Sequence, residues 1–298
     1  MRRSILHDLL ERSIERPGGR QLTWVEHGDP DGVPILYCHG TPGCGGEAIA
    51  LAPAASEHGA RILAVDRPGF AGSTFQPARN LLNWPAEATA VADAIGVDQL
   101  PVLGYSGGGP YALVCGAQEP ERFPLIGVAA GAGPYRGSAS LAFMSSSERN
   151  LTRLVLHAPP LGRAALRALS VGASVAPGIG LRSWMAELPE ADRRVLQNAE
   201  LPARDAMFFF VDSMRHGARG ALHDYRLLST PWGFNPEDVH VPVRWWHGLD
   251  DQTVPAEEAH ATTANLPIVT ATFVPDTGHL LLPALAVDIV SALVGHRR

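Results

Sequence analysis

The sequence predicts an α/β fold: a mostly parallel central sheet flanked by helices, interrupted once by an inserted helical segment. Two observations carry this. Short apolar, β-branched runs alternate with helix-forming runs from residue 21 to residue 130, and again from residue 241 onward. Such alternation requires right-handed crossovers between parallel strands. Between Gly133-Pro134 and Val241 the alternation stops, and a long stretch of helix-forming composition with few β-branched runs replaces it. The expected organisation is a core of residues 1–133 and 237–298 with a helical cap at 134–236.

The elements follow in order. Residues 1–20 are polar and helix-like up to the break at Pro17-Gly18-Gly19, so the first strand is expected at 21–26. The Asp29-Pro30-Asp31-Gly32 turn leads into a strand at 34–38. A helix at 47–58 precedes a strand at 61–66. Residues 82–95 have an amphipathic helical period, which Gly96 ends. A strand at 101–105, a helix at 110–118 and a short buried strand at 125–130 complete the first half. In the insertion, helices are expected at 151–157, 161–171, 179–187, 190–199 and 203–214, several of them bounded by Pro or Gly. The chain leaves the insertion within 231–236. It then returns through a strand at 241–246, a helix at 256–264, a strand at 268–274 and a last helix opening at His279.

The chemistry is concentrated in Gly104-Tyr105-Ser106-Gly107-Gly108, between an apolar strand and a helix. A serine there sits on a sharp strand-to-helix turn that projects its hydroxyl away from the backbone. The flanking glycines are needed because a Cβ would meet the neighbouring strand and helix. The competing reading is a Gly-rich connection with an incidental serine. A nucleophilic hydroxyl also needs a base, an orienting acid and donors for the oxyanion. His279, in Pro275-Asp276-Thr277-Gly278-His279-Leu280 after a strand, is the base that position favours among 12 histidines. The acid is Asp250 or Asp251, both after the strand that ends at Trp246.

Four segments resemble the α/β-hydrolase family. They are the elbow, His39-Gly40-Thr41-Pro42-Gly43, Asp66-Arg67-Pro68-Gly69-Phe70-Ala71-Gly72-Ser73, and the acid loop His247 to Pro255. The serine–acid–histidine order is also the family's. The resemblance spans positions 35 to 279. It implies the α/β-hydrolase fold with a helical cap, and the register H-G-x-x-D-x-x-V-P selects Asp251 as the acid. It implies that the Thr41 and Gly107 amides form the oxyanion hole and that His39 props its loop. Thr41-Pro42 is an X-Pro bond, the kind in which cis is accessible. Asp66 and Arg67 are expected to brace a loop as an ion pair, and Asp224 to cap a helix. Tyr105, Tyr135, Phe209 and Phe210 are candidate pocket walls.

The implied activity is a serine hydrolase of a small, largely apolar carboxylic ester, working through an acyl-enzyme and needing no cofactor or metal. Alternatives on the same triad are a proline-iminopeptidase-type aminopeptidase and a carbon–carbon bond hydrolase. An alternative of another class is a catalytically silent member that binds a small ligand. A carboxylate nucleophile, as epoxide hydrolases and haloalkane dehalogenases require, is excluded by serine at 106.

Composition sets outer bounds. With 298 residues, 46% hydrophobic and 18% charged, the chain can bury a large core. A net charge of −6 offers no basic footprint for nucleic acid. Three cysteines without a repeating spacing argue against a disulfide framework and against zinc. Cys38 and Cys115 read as buried, and Cys44 as partly exposed. Asp8, Glu11 and Arg12 interrupt any signal-peptide apolar region, and no apolar run reaches membrane-spanning length. The expectation is a cytoplasmic monomer or homodimer acting on a small molecule, with no membrane partner.

Overall fold

The computed structural model describes residues 11–134, 146–199, 205 and 207–295. Its centre is an eight-stranded sheet in the order β1-β2-β4-β3-β5-β6-β7-β8. The strands are β1 (Glu11–Arg16), β2 (Arg20–Gly28), β3 (Val33–Cys38), β4 (Ala60–Val65), β5 (Val102–Tyr105), β6 (Ile126–Ala129), β7 (Val243–Gly248) and β8 (Val269–Val274). β1 and β2 pair antiparallel, as do β2 and β4; every other pairing is parallel. The central strands read as continuous apolar runs because both faces are covered. Ile35, Leu36 and Tyr37 of β3 are fully buried, alternating between two cores on opposite faces of the sheet.

Strand order decides where chemistry can happen. The chain leaves β3 for β4 on one side, then crosses back to β5 on the other. That reversal opens a crevice beyond the carboxyl ends of β3 and β5, where ligands bind in open α/β sheets. The loops after β3, β4, β5, β7 and β8 all emerge at this end, because these strands run parallel.

The insertion lies between β6 and β7. Its described helices are Ser146–His157, Pro159–Val175, Pro177–Glu187, Glu190–Asn198, Phe208–Ser213 and Arg219–Leu228. Val155, Leu166, Met214, Ala221 and Tyr225 form a small core of their own around Phe70, which belongs to the loop after β4. The insertion is thereby seated on the sheet domain by a shared apolar cluster.

Several expectations are corrected. Residues 11–16 form an edge strand and not a helix: Gly18 and Gly19, both at positive φ, turn the chain into a hairpin that pairs Ile14 with Leu22. Arg16 and Arg20 then clasp Glu87 at 2.7 and 2.8 Å. The helix Arg219–Leu228 was not foreseen, and the last helix begins at Leu282, leaving His279 in a loop. Cys44 is buried with the other two cysteines, since the segment after the β3 loop folds back over the sheet.

Candidate active site

Ser106 follows β5 directly and takes φ = +52°, a left-handed conformation that a residue with a side chain adopts only under tight constraint. The constraint comes from the glycines around it. A Cβ on Gly104 would run into the carbonyl of Gly108, and one on Gly108 into the carbonyl of Cys38. The turn therefore packs backbone against backbone, between β3 and the helix Gly109–Gln118 that begins just beyond it. Pro110 fits the first turn of that helix, where no N–H partner is needed.

Ser106 Oγ lies 2.9 Å from His279 Nε2, and His279 Nδ1 lies 2.8 Å from Asp251 Oδ2. Against a carboxylate, Nδ1 carries the proton, so Nε2 accepts from the serine hydroxyl. All three residues are buried, at 9%, 7% and 5% exposure for Ser106, His279 and Asp251. Asp251 Oδ1 accepts the Thr253 and Val254 amides at 2.8 and 2.9 Å, which fixes the carboxylate plane. Asp250 is exposed, and only its backbone joins the site, donating to the Thr277 carbonyl at 2.9 Å. Burial acts to lower the His279 pKa. The Asp251 carboxylate, reinforced by Asp192 and Glu148, outweighs burial and raises it above the ordinary histidine value. Tyr105 stands beside the imidazole with ring centroids 5.3 Å apart, and its hydroxyl donates to the His279 carbonyl at 3.2 Å.

The loop after β3 faces the elbow. A Cβ built on Gly107 would lie 2.5 Å from Thr41 Oγ1, so the two residues stand in contact across the crevice. The Thr41-Pro42 peptide is cis. His39 is fully buried and both its ring nitrogens are engaged by backbone: Nδ1 with the Gly40 carbonyl at 2.7 Å, and Nε2 with the Arg67 amide at 3.1 Å. Burial and the Arg67 cation hold its pKa well below the ordinary value, so it is a neutral prop for the loop.

Arg67 braces the same loop, but not by pairing with Asp66 as expected. Its guanidinium donates to the carbonyls of His39 and Gly40 and to Thr41 Oγ1, and pairs with Asp224. Asp66 instead accepts the Gly45 amide and the Thr23 hydroxyl, each at 2.8 Å. Asp224 caps no helix; it sits within Arg219–Leu228 and binds Arg67, Arg79 and the Tyr111 hydroxyl. Gly69 and Gly220 make this possible, since a Cβ on either would strike the other's backbone.

Glu47, Leu228, Glu148 and Asp192 also reach this region, and the sequence gives no motif for any of them. Glu47 accepts the Gly40 amide and the Tyr37 hydroxyl, and burial pushes its carboxyl up to about 7. Leu228 reaches to within 3.0 Å of a Cβ built on Gly107. Phe209 lies against Gly46, just after the loop that follows β3, whereas Phe210 packs with Phe70 and Met214. Tyr135 lies outside the described residues. Among the described residues no group of His, Cys, Asp and Glu is arranged to hold a metal ion, and no helix is long and apolar enough to cross a membrane.

Comparison with known proteins agrees with this architecture. A family model described as the alpha/beta hydrolase fold matches residues 33–283. The proline iminopeptidase of Neisseria gonorrhoeae is 30% identical over 105 residues, 34% of this chain and 34% of that protein. The dihydrolipoyllysine-residue acetyltransferase component of the acetoin cleaving system of Pseudomonas putida is 30% identical over 138 residues, 45% of this chain and 37% of that protein. The chain thus spans little more than a third of the curated relatives it matches. Among solved structures, an esterase from Rhodococcus sp. ECU1013 superposes with a TM-score of 0.66 at 20% identity, covering 96% of this chain and 98% of that one.

Proposed function

The chain belongs to the alpha/beta hydrolase family, and from that premise we propose that it is a serine hydrolase of a small, largely apolar carboxylic ester. The observation that carries the reading is the buried relay from Ser106 Oγ through His279 to Asp251, at 2.9 and 2.8 Å. In this reading His279 Nε2 takes the Ser106 proton as Oγ attacks the ester carbonyl. The Thr41 and Gly107 amides receive the charge that develops on the carbonyl oxygen. His279 returns the proton to the departing alcohol, leaving an acyl-enzyme. A water molecule, deprotonated by the same nitrogen, then releases the acid. Residues 134–236 act as the cap over this site, with residues 1–133 and 237–298 as the catalytic core.

The test is pre-steady-state release of p-nitrophenol from short p-nitrophenyl esters. The parent enzyme is expected to show a burst. Ser106→Ala is expected to lose turnover on the order of 10⁶-fold while keeping its thermal midpoint. Hydrolysis by Ser106→Ala near the parent rate ends the assignment.

A second reading, an aminopeptidase, is favoured by one observation. A 105-residue segment of this chain is 30% identical to the proline iminopeptidase of Neisseria gonorrhoeae. An aminoacyl-naphthylamide panel run beside the esters separates the two readings.

A further inference from the structure

We propose that Asp192, contributed by the inserted segment, is a positioning residue for His279, so that seating of this segment on the core holds the imidazole in working register. The proposal rests on the serine-hydrolase reading above.

Asp192 lies in the first turn of the helix Glu190–Asn198, yet its carboxylate serves a loop remote in sequence. Oδ2 accepts the His279 amide at 3.0 Å, and Oδ1 accepts the Leu280 amide at 2.8 Å. The side chain is fully buried. Two converging N–H donors call for two acceptor oxygens. A carboxylate supplies both, whereas an amide would turn a donor toward one of them. Gly278 is the complementary feature: a Cβ there would occupy the space of the Asp192 carboxylate. Gly278 is not at positive φ, so that contact accounts for the glycine.

The rest of the loop is held from the core. The Asp250 amide binds the Thr277 carbonyl, and the Tyr105 hydroxyl binds the His279 carbonyl. Asp251 fixes Nδ1. Asp192 supplies the hold on the His279 amide, and it comes from the insertion. A shift of this helix therefore moves the loop backbone that carries the base. Displacements near 1 Å at a reacting group cost on the order of 10²-fold in rate. The titratable groups around His279 are Asp251 from the acid loop, Asp192 and Glu148 from the insertion, Glu47 from the segment after β3, and His247 from β7, whose imidazole burial keeps neutral. Asp192 is thus also one of the negative charges that favour the imidazolium.

The experiment compares parent, Asp192→Asn, Gly278→Ala and Ser106→Ala on p-nitrophenyl acetate, with thermal melts to establish folding. Asp192→Asn is expected to lower kcat by about 10- to 100-fold, with KM changed by less than about threefold. The acid limb of its kcat/KM profile is expected to move to lower pH, because one negative charge near the imidazole is gone. Gly278→Ala displaces the carboxylate without removing its charge. It is expected to lower kcat similarly with less movement of the acid limb. Parent-like kcat and pH profile in folded Asp192→Asn overturn the proposal, as does a raised KM with unchanged kcat. If Asp192→Asn does not fold, parent-like kcat in Gly278→Ala overturns it. An active Ser106→Ala would sink the serine-hydrolase reading itself. An inactive Ser106→Ala beside a parent-like Asp192→Asn would remove only the role of Asp192.

Discussion

Arg67 and Asp224 form an ion pair of 2.8 Å in which neither side chain is exposed to solvent. The arginine comes from the loop after β4 and the aspartate from the last helix of the insertion. The guanidinium also lies over the Tyr111 ring, 4.5 Å from its centroid, and its remaining donors go to the loop that carries Thr41. One carboxylate therefore balances two buried cations, Arg67 and Arg79, directly behind the loop that carries His39, Gly40 and Thr41.

Asp224→Ala is expected to destabilise the fold by about 3–5 kcal/mol, because it leaves two buried guanidinium groups without their counter-ion. Burial alone would raise the Asp224 pKa, but Arg79 and Arg67 hold it well below the usual carboxylate range. Its contribution is therefore present above the unfolded carboxylate value of about 3.9 and is lost as pH falls below it. Urea unfolding of parent and variant at neutral and strongly acidic pH measures both statements: the gap between them should be widest at neutral pH.

Asp251→Asn is expected to lower kcat/KM by about 10⁴-fold, while Asp250→Asn stays within about threefold of the parent. Asp251 touches His279, and Asp250 turns its side chain to solvent. Steady-state kinetics on a single ester suffice, and a larger loss at Asp250 would reverse the assignment.

In the serine-hydrolase reading the acid limb of kcat/KM is expected to have its midpoint above the ordinary histidine value of 6.5, since His279 would act as base only when neutral and its surroundings favour the imidazolium. A profile with its midpoint below that value would contradict the electrostatics of the site.

Glu47→Gln is expected to gain stability relative to the parent as pH rises. The native carboxyl titrates near 7, so the parent fold loses stability as pH climbs from the unfolded value of about 4.3 through about 7, and the amide does not. Thermal midpoints of both proteins between about pH 5 and 8 test this. A difference that stays constant with pH would show that Glu47 does not titrate in this window.

Phe209→Ala and Phe210→Ala are expected to differ. Phe209 lies on Gly46 just after the loop that follows β3, so in the serine-hydrolase reading its loss should alter acyl-chain preference by no more than several-fold per carbon, about 0.8 kcal/mol for each methylene. Phe210 packs with Phe70, Val155 and Met214, so its loss should cost up to about 3 kcal/mol of stability and leave the chain-length profile unchanged. Chain-length panels and melts on both variants decide it; equal effects on preference would place both rings at the substrate.

The central strands and their crossovers are legible because each is a local pattern. An apolar run followed by a glycine-bounded helix specifies β5, the elbow and the helix behind it without reference to anything distant. Ser106, Asp251 and His279 each occupy such a strand-end motif, and the fold brings them within hydrogen-bonding distance of one another. What is not legible depends on remote partners. The strand Glu11–Arg16 alternates charges with one isoleucine, and only pairing with β2 and ion pairs across the surface make it a strand. Arg67 is adjacent to Asp66 in sequence, yet its counter-ion is 157 positions away. The helix around Asp224 is amphipathic in its own sequence, and only Gly220 in its first turn, which the close approach to Gly69 requires, obscures that signal.

Asp192 and Asp224 also bear on how this protein could be rebuilt. The insertion looks like an exchangeable lid, to be swapped for that of a relative in order to change substrate range. Any chimera that replaces it removes the acceptors for the His279 and Leu280 amides and the counter-ion of Arg67 and Arg79 in one cut. A graft that preserves the sheet domain residue for residue would still inherit a loop at His279 with two unpaired amides and two uncompensated cations. The transferable unit is the insertion together with Gly278, which makes room for the Asp192 carboxylate, Gly69, which makes room for the helix that carries Asp224, and the two arginines that Asp224 meets.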